Sequence, residues 1–79
     1  MTRAEILEKL QEIFWDVFDD NEIKICEETT AADVDDWDSL MHISLVSEVE
    51  DAFDLKFEMK DVVGMKNVGD MISIIVRDA

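Results

Sequence analysis

A serine at the expected start of a helix is the residue best placed for chemistry in this sequence. Ser39 follows an acidic stretch and precedes an apolar helical pattern, within the segment Asp35–Leu40. The free N–H groups and the dipole of a helix N-terminus favour an attached phosphate at such a position, whereas the charge of Asp38 opposes one. Serine and aspartate are also common N-cap residues. The local residue types alone therefore favour a helix cap over a modified serine.

Other residues with reactive side chains do not form a catalytic or metal-binding pattern. His42 lies one helical turn after Ser39, but no orienting acid or oxyanion site accompanies the pair, which indicates a polar surface histidine. Almost nothing basic lies near Cys26 in the sequence, so we predict a half-buried loop cysteine rather than a reactive thiol. An EF-hand loop starting at Asp33 would have Trp37 at its fifth position, where calcium needs an oxygen ligand. We therefore predict no catalytic residue and no metal site.

The composition limits the class of protein. The chain has 79 residues, which indicates a single domain over residues 1–79. With 21 acidic and 7 basic residues, the net charge of −14 argues against nucleic acid or anionic membranes as partners and favours a protein with a basic patch. No run of about 18 apolar residues predicts a membrane span, and the charged N-terminus has no signal-peptide core. We expect a cytoplasmic protein without membrane insertion.

Apolar residues at helical spacing predict an all-α fold. We predict four helices, with boundaries near Thr2 and Phe18, Asp38 and Phe53, Met59 and Val63, and Asn67 and Val76. Gly64 is expected to end the short third helix in the left-handed conformation. The apolar face predicted for the second helix comprises Leu40, Ile43, Val46, Val49 and Phe53. Because such helices can bury their apolar faces only against one another, the sequence predicts a small four-helix bundle with three main helices.

The connection between the first two helices is long and acidic. Residues 19–37 show no sustained period, and a connection of that length indicates a function or local turns. Thr29, Thr30 and Asp33 could cap one such turn, and the apolar residues of the loop could attach it to the core. No lysine or arginine occurs between Lys24 and Lys56. We therefore expect the surface around Ser39 to be wholly anionic.

The second helix resembles that of the acyl carrier protein family. The match begins with Asp38-Ser39-Leu40 at the start of the helix. It continues through Ile43, Leu45, Val46, Val49, Glu50 and Phe53. Phe57, the short third helix and the segment Val68–Ile72 also lie at the family's spacing, so the resemblance covers nearly the whole chain. Three residues alone are a weak motif, but with this architecture, length and acidity they are fairly specific.

The resemblance implies a 4'-phosphopantetheine arm, joined from coenzyme A to Ser39 Oγ by a phosphopantetheinyl transferase. The thiol of that arm would hold acyl groups as thioesters, so the chemistry belongs to the arm and to partner enzymes. The chain would then be a monomeric carrier and not an enzyme. Its other expected partners are acyl-activating and acyl-transferring enzymes with basic docking patches. The residues expected to contact partners are Trp37, Asp38, Leu40, Met41, Glu50 and Asp51.

Several features leave the cargo and the pathway open. Trp37 stands where carriers of fatty acid synthesis usually have a smaller residue, and Met41 replaces one that is often acidic, which favours a specialised pathway. Fatty acyl, polyketide, aminoacyl and D-alanyl cargoes all fit this architecture, with acyl groups favoured. A cofactor-free acidic interaction module is the main alternative. Packing over the loop is favoured for Trp37 over contact with a partner. Four methionines could line an acyl cleft or simply fill the core: Met41, Met59, Met65 and Met71.

Overall fold

The computed structural model describes residues 1–78 as an all-helical bundle. Its helices are α1 (Arg3–Phe18), α2 (Ser39–Phe53), α3 (Met59–Gly64) and α4 (Val68–Asp78). A 3₁₀ turn at Ala31–Asp33 interrupts the connection between α1 and α2. The described residues contain no β-strand beyond an isolated bridge between Thr30 and Asn67. This architecture confirms the predicted all-α bundle of three long helices and one short helix.

Helix α1 begins at the predicted capping box. The Thr2 hydroxyl accepts a hydrogen bond from the Glu5 N–H at 3.1 Å, and a Glu5 carboxylate oxygen accepts one from the Thr2 N–H at 2.8 Å. The bond from the Thr2 N–H and the Thr2 hydroxyl contact hold the pKa of Glu5 below its ordinary value. The helix then buries one side chain per turn against α2 and α4. These buried side chains are Ile6, Leu10, Phe14 and Phe18.

The buried face of α2 differs from the predicted one. Leu45, Val46 and Val49 are buried, but Leu40 and Ile43 are 74% and 65% exposed. The prediction was wrong at the N-terminal end of the helix because, at about 100° per residue, Leu40 and Ile43 project away from Leu45 and Val49. The core at this end is completed by the loop residue Trp37 and by Met41, which is partly buried. The first turn of α2 is therefore free to present apolar side chains to solvent.

The left-handed helix caps also lie elsewhere than predicted. Gly64 is the last residue of α3 and has no positive φ. Asp19 and Asp54 instead adopt the left-handed conformation at the ends of α1 and α2, with φ of 50° and 54°. Each donates its backbone N–H to a carbonyl of the preceding turn, as αL caps do. A short polar side chain therefore replaces glycine at both of these positions.

Hydrogen bonds from α1 hold the long loop in place. The Gln11 amide donates to the Ile23 carbonyl at 2.7 Å and accepts from the Ile25 N–H at 2.9 Å. The Trp15 indole N–H also donates to the Ile23 carbonyl, at 2.7 Å. Asp33 accepts from Thr30 and closes the predicted local turn. The loop is therefore ordered by side chains that the apolar pattern alone does not reveal.

Apolar loop residues complete the core, as predicted. Ile25 and Val34 are buried, and Ile23 packs partly buried against the core. Cys26 departs from its prediction, because it is exposed rather than half-buried. Its backbone N–H donates to the Thr29 hydroxyl at 2.8 Å, which turns the chain at this point.

The loop also joins the start of α4 through a close backbone contact. The Gly69 N–H donates to the Glu27 carbonyl at 2.8 Å, and the Val68 N–H donates to the Thr29 carbonyl at 2.9 Å. Arg3 reinforces the contact, because its guanidinium pairs with the Glu27 carboxylate at 2.6 Å. This pairing lowers the pKa of Glu27. Residue 69 must therefore be small, since the loop backbone lies directly against it.

Two glycine substitutions should have opposite effects on stability. A Cβ atom at residue 69 would lie 3.0 Å from the Glu27 carbonyl oxygen, whereas nothing lies within 4 Å at residue 64. In Gly69→Ala, an overpacking cost of about 1–3 kcal/mol outweighs the gain in helix propensity. Gly64→Ala should gain about 0.4–1 kcal/mol, because it restricts only the unfolded chain. Urea unfolding measures both, and a Gly69→Ala protein as stable as wild type would refute the close contact.

Candidate functional site

Asp38 caps helix α2 and leaves Ser39 free of that task. The Asp38 carboxylate accepts a hydrogen bond from the Met41 N–H at 2.8 Å, and the Asp38 carbonyl accepts the first helical bond from His42. Ser39 is the first residue of the helix and is exposed. The sequence alone did not decide whether Asp38 or Ser39 caps this helix. With Asp38 in that role, the Ser39 side chain stands at the positive end of the helix dipole.

Ser39 borders a cleft between α2 and α3. The cleft has a volume of about 520 Å³. Its apolar walls come from Ala31, Trp37, Ile43, Met59, Val62, Val63 and Met65. Two of the four methionines considered from the sequence, Met59 and Met65, line it, whereas Met71 is fully buried in the core. An exposed hydroxyl thus stands beside a mainly apolar surface.

Trp37 forms the inner wall of the cleft and packs into the core. Its side chain is only 8% exposed. The indole ring meets Phe14 edge-on at 5.3 Å between centroids and lies 6.5 Å from Phe18. The sequence favoured packing over partner contact, and Trp37 does pack, although against Phe14 and Phe18 of α1 rather than over the loop. As a contact for a partner, Trp37 offers little surface in this conformation.

His42 is not the surface histidine that the sequence predicted. It is half-buried and uses both ring nitrogens in hydrogen bonds. Its Nδ1 accepts from the Trp37 indole N–H at 3.0 Å, so the proton is assigned to Nε2, which donates to the Val62 carbonyl at 3.2 Å. Because α3 is a single short helix, its last carbonyls lack helical partners. His42 thus satisfies one of them and provides no base for Ser39.

The residues predicted to contact partners fall into two groups along α2. Asp38 and Leu40 are exposed beside Ser39, and Met41 is half-buried. Glu50 and Asp51 lie about 18 Å further along the helix, at 1.5 Å per residue. Asp51 is exposed, but the Glu50 carboxylate accepts a hydrogen bond from the Phe57 N–H at 2.8 Å. Glu50 thus has a structural partner, and its role in docking stays a prediction.

The surface around Ser39 is less uniformly anionic than predicted. Lys66 lines the same cleft as Ser39, although 27 positions separate the two residues in sequence. The expectation of a wholly anionic region was wrong because it followed the sequence between Lys24 and Lys56, whereas the fold returns the α3–α4 connection to the start of α2. No local pattern in the sequence marks Lys66 for this position.

Metal binding and membrane crossing were both considered for the residues that the structure describes. Within residues 1–78 no cluster of three or more histidine, cysteine, aspartate or glutamate side chains could hold a metal ion. None of the helices described combines the length and the apolar character that crossing a bilayer requires. The arrangement found is that of a small helical domain which presents a helix-initial serine beside an apolar cleft.

Known proteins with this arrangement identify the family. No family model matches the sequence. An acyl carrier protein of Streptococcus pyogenes serotype M1 is 36% identical over 70 residues, which cover 89% of this chain and 90% of the relative. An acyl carrier protein of Streptococcus pneumoniae is 34% identical over 74 residues, which cover 94% and 96%. By their names, these relatives are carriers rather than enzymes.

A solved structure agrees with the sequence relatives. The solution structure of the holo acyl carrier protein from Geobacter metallireducens superimposes with a TM-score of 0.84 at 39% identity, covering 90% of this chain and 82% of that one. The chain therefore belongs to the acyl carrier protein family, and its role is that of a carrier. The resemblance noted along α2 is confirmed.

Substitutions at Asp38 and Ser39 should show which of the two residues caps α2. Asp38→Ala removes the bond to the Met41 N–H and should destabilise the protein by about 0.5–2 kcal/mol. Ser39→Ala leaves the cap intact and should change stability by less than about 0.5 kcal/mol. Urea unfolding of the unmodified proteins measures both. A larger loss of stability for Ser39→Ala than for Asp38→Ala would show that Ser39, and not Asp38, is the cap.

Proposed function

We propose that Ser39 carries a 4'-phosphopantetheine arm and that the chain presents acyl groups on this arm to partner enzymes. The observation that carries the proposal is that Asp38, and not Ser39, caps α2. Asp38 accepts the capping hydrogen bond, so the exposed Ser39 hydroxyl is not needed to cap the helix. A serine needed as a cap could not be modified without loss of stability.

The surroundings of Ser39 fit a phosphodiester followed by a long arm. The N–H groups at the start of α2 that Asp38 does not cap favour the negative charge of a phosphate, and the positive charge of Lys66, which lines the same cleft, counters the opposing charge of Asp38. The apolar cleft offers contact for the less polar part of the arm. When bound, the arm supplies a thiol that holds an acyl group as a thioester. The chain itself supplies the attachment oxygen, the cleft and the recognition surface.

Attachment needs no catalytic base from this chain. The Ser39 Oγ forms a bond to the phosphorus that carries pantetheine in coenzyme A, the nucleotide part leaves, and the hydroxyl proton is lost. A phosphopantetheinyl transferase would provide the groups for these steps. His42 takes no part, since both of its nitrogens are already engaged. This division agrees with a protein that is the substrate of enzymes.

The exposed acids near the start of α2 and along it suit partners with a basic patch. Asp35, Asp36 and Asp38 are exposed before Ser39, and Asp51 is exposed towards the other end of α2. Leu40 and Ile43 add apolar surface between these charges. Opposite charges would speed the encounter, and the apolar pair would lie at the centre of the contact. A specialised pathway stays a prediction that depends on Trp37 and Met41.

Modification of Ser39 is directly testable by intact mass. Incubation of the unmodified protein with coenzyme A and a broad-specificity transferase should add roughly 340 Da, the mass of one phosphopantetheinyl group. Ser39→Ala should remove the gain, whereas Ser47→Ala should retain it. Ser47 is a suitable control because it is an exposed serine on the same helix. An unchanged wild-type mass would instead support a cofactor-free interaction module.

Docking through the acidic surface should depend on salt and on position. Asp51→Asn should raise the transferase KM by up to about fivefold at low salt, the equivalent of about 1 kcal/mol for one exposed ion pair. Glu12→Gln removes the same charge from an exposed site on α1 and should have little effect. The KM should rise with ionic strength for wild type. Equal effects of the two substitutions would argue for net charge rather than a defined docking face.

A further inference from the structure

A short chain of hydrogen bonds closes the inner side of the cleft. The Trp37 indole N–H donates to His42 Nδ1 at 3.0 Å, and His42 Nε2 donates to the Val62 carbonyl at 3.2 Å. These three groups, which we call the Trp–His bridge, come from the loop, from α2 and from α3 respectively. The bridge therefore connects three of the four parts of the chain that line the cleft, the fourth being the α3–α4 connection.

The Trp–His bridge separates the cleft from the hydrophobic core. Its three residues line the cleft together with Ser39. On the opposite side, the Trp37 ring packs against Phe14, which is fully buried, and Phe18. Within residues 1–78, no buried side-chain nitrogen or oxygen lacks a hydrogen-bond partner. The boundary is thus a satisfied polar contact between two apolar regions.

An alkyl chain could pass from the cleft into the core only by opening this contact. Opening would leave the buried indole N–H without a partner and could also release the Val62 carbonyl. An alkyl chain has no donor or acceptor with which to replace either bond. A cargo that ends in the cleft meets a mainly apolar surface and breaks neither of these hydrogen bonds. The cost of burial therefore depends on the length of the cargo.

We propose that Trp37 and His42 determine cargo specificity by keeping long alkyl chains out of the core. Short acyl groups are accommodated in the cleft beside Ser39, and the distal part of a longer chain stays outside the core. The proposal rests on the proposed attachment of the arm to Ser39. Both residues act through the wall that they form, since His42 has no free nitrogen to offer a polar cargo.

Loading the protein with acyl groups of two lengths tests this directly. Acetyl- and octanoyl-coenzyme A are used with a broad-specificity transferase, and intact mass verifies each product. The rate of thioester cleavage by hydroxylamine is then divided by the rate for the same free acyl-coenzyme A. For wild type, we expect these ratios to agree within about twofold, because neither cargo enters the core. The amide resonances of Val68 and Ile72, both fully buried, should be the same for both cargoes.

Removing both sides of the bridge should open the core to the longer cargo. In the double variant Trp37→Phe and His42→Leu, neither an indole donor nor an imidazole remains, and the aromatic packing is largely kept. The octanoyl ratio should then fall about tenfold below the acetyl ratio, since deleting both side chains leaves no unpaired indole N–H or imidazole nitrogen in the wall. Only the carbonyl of Val62, which is half-buried, loses its partner. Trp15→Phe is the matched control. It removes another indole bond to a backbone carbonyl, outside the cleft, and should behave like wild type.

The outcomes distinguish this inference from the proposed function. If no acyl-pantetheine joins Ser39, the proposed function fails and this inference fails with it. If loading succeeds but wild-type octanoyl is already protected about tenfold, with shifts at Val68 and Ile72, the bridge is no barrier and this inference alone is overturned. Should the double variant fail to fold, the two wild-type cargoes still decide the question.

Discussion

The burial of the Trp37 ring against Phe14 is the contact on which the arrangement of the site depends. It fixes the end of the long loop to α1, immediately before the residue that caps α2. Because Trp37 is fixed in the core, Asp38 and Ser39, which follow it directly in the chain, are held at the start of α2. The same ring helps to complete the core at this end of α2, whereas Leu40 and Ile43 lie on the side of the helix that faces away from the core and stay on the surface. This aromatic contact thus helps to set both the position of Ser39 and the inner wall of the cleft beside it.

The charges of the chain are divided between stability and recognition. Glu5 and Glu27 accept hydrogen bonds or pair with Arg3, and these contacts lower their pKa values. Asp38 caps a helix, and Glu50 accepts the Phe57 N–H. Exposed acids without such contacts contribute to the negative potential that a basic partner would meet. The net charge of −14 therefore includes both acids that stabilise the fold and exposed acids that a partner would meet. Only the position of each acid in the structure distinguishes the two kinds.

The sequence predicted the elements better than it predicted their contacts. Helical periodicity and the capping box at Thr2 located α1, because both depend on neighbours three or four residues apart. The Trp37–His42 bond and the position of Lys66 in the same cleft as Ser39 depend on how the connections fold back, which no local spacing encodes. Gly64 was expected to adopt a left-handed cap, yet Asp54 adopts one. Aspartate as well as glycine can adopt the left-handed conformation at a helix end, so residue type alone does not locate such a cap.

The small size of α3 has a consequence for the timescale on which the cleft changes shape. Its six residues are too few for a helix to be stable alone, and none of them is buried. Elements with little buried surface open locally at much lower free energy than the whole domain unfolds. Amide protons of α3 should therefore exchange with solvent long before those of α1 or α4. One wall of the cleft can fluctuate while the opposite wall, built on α2 and Trp37, keeps its shape.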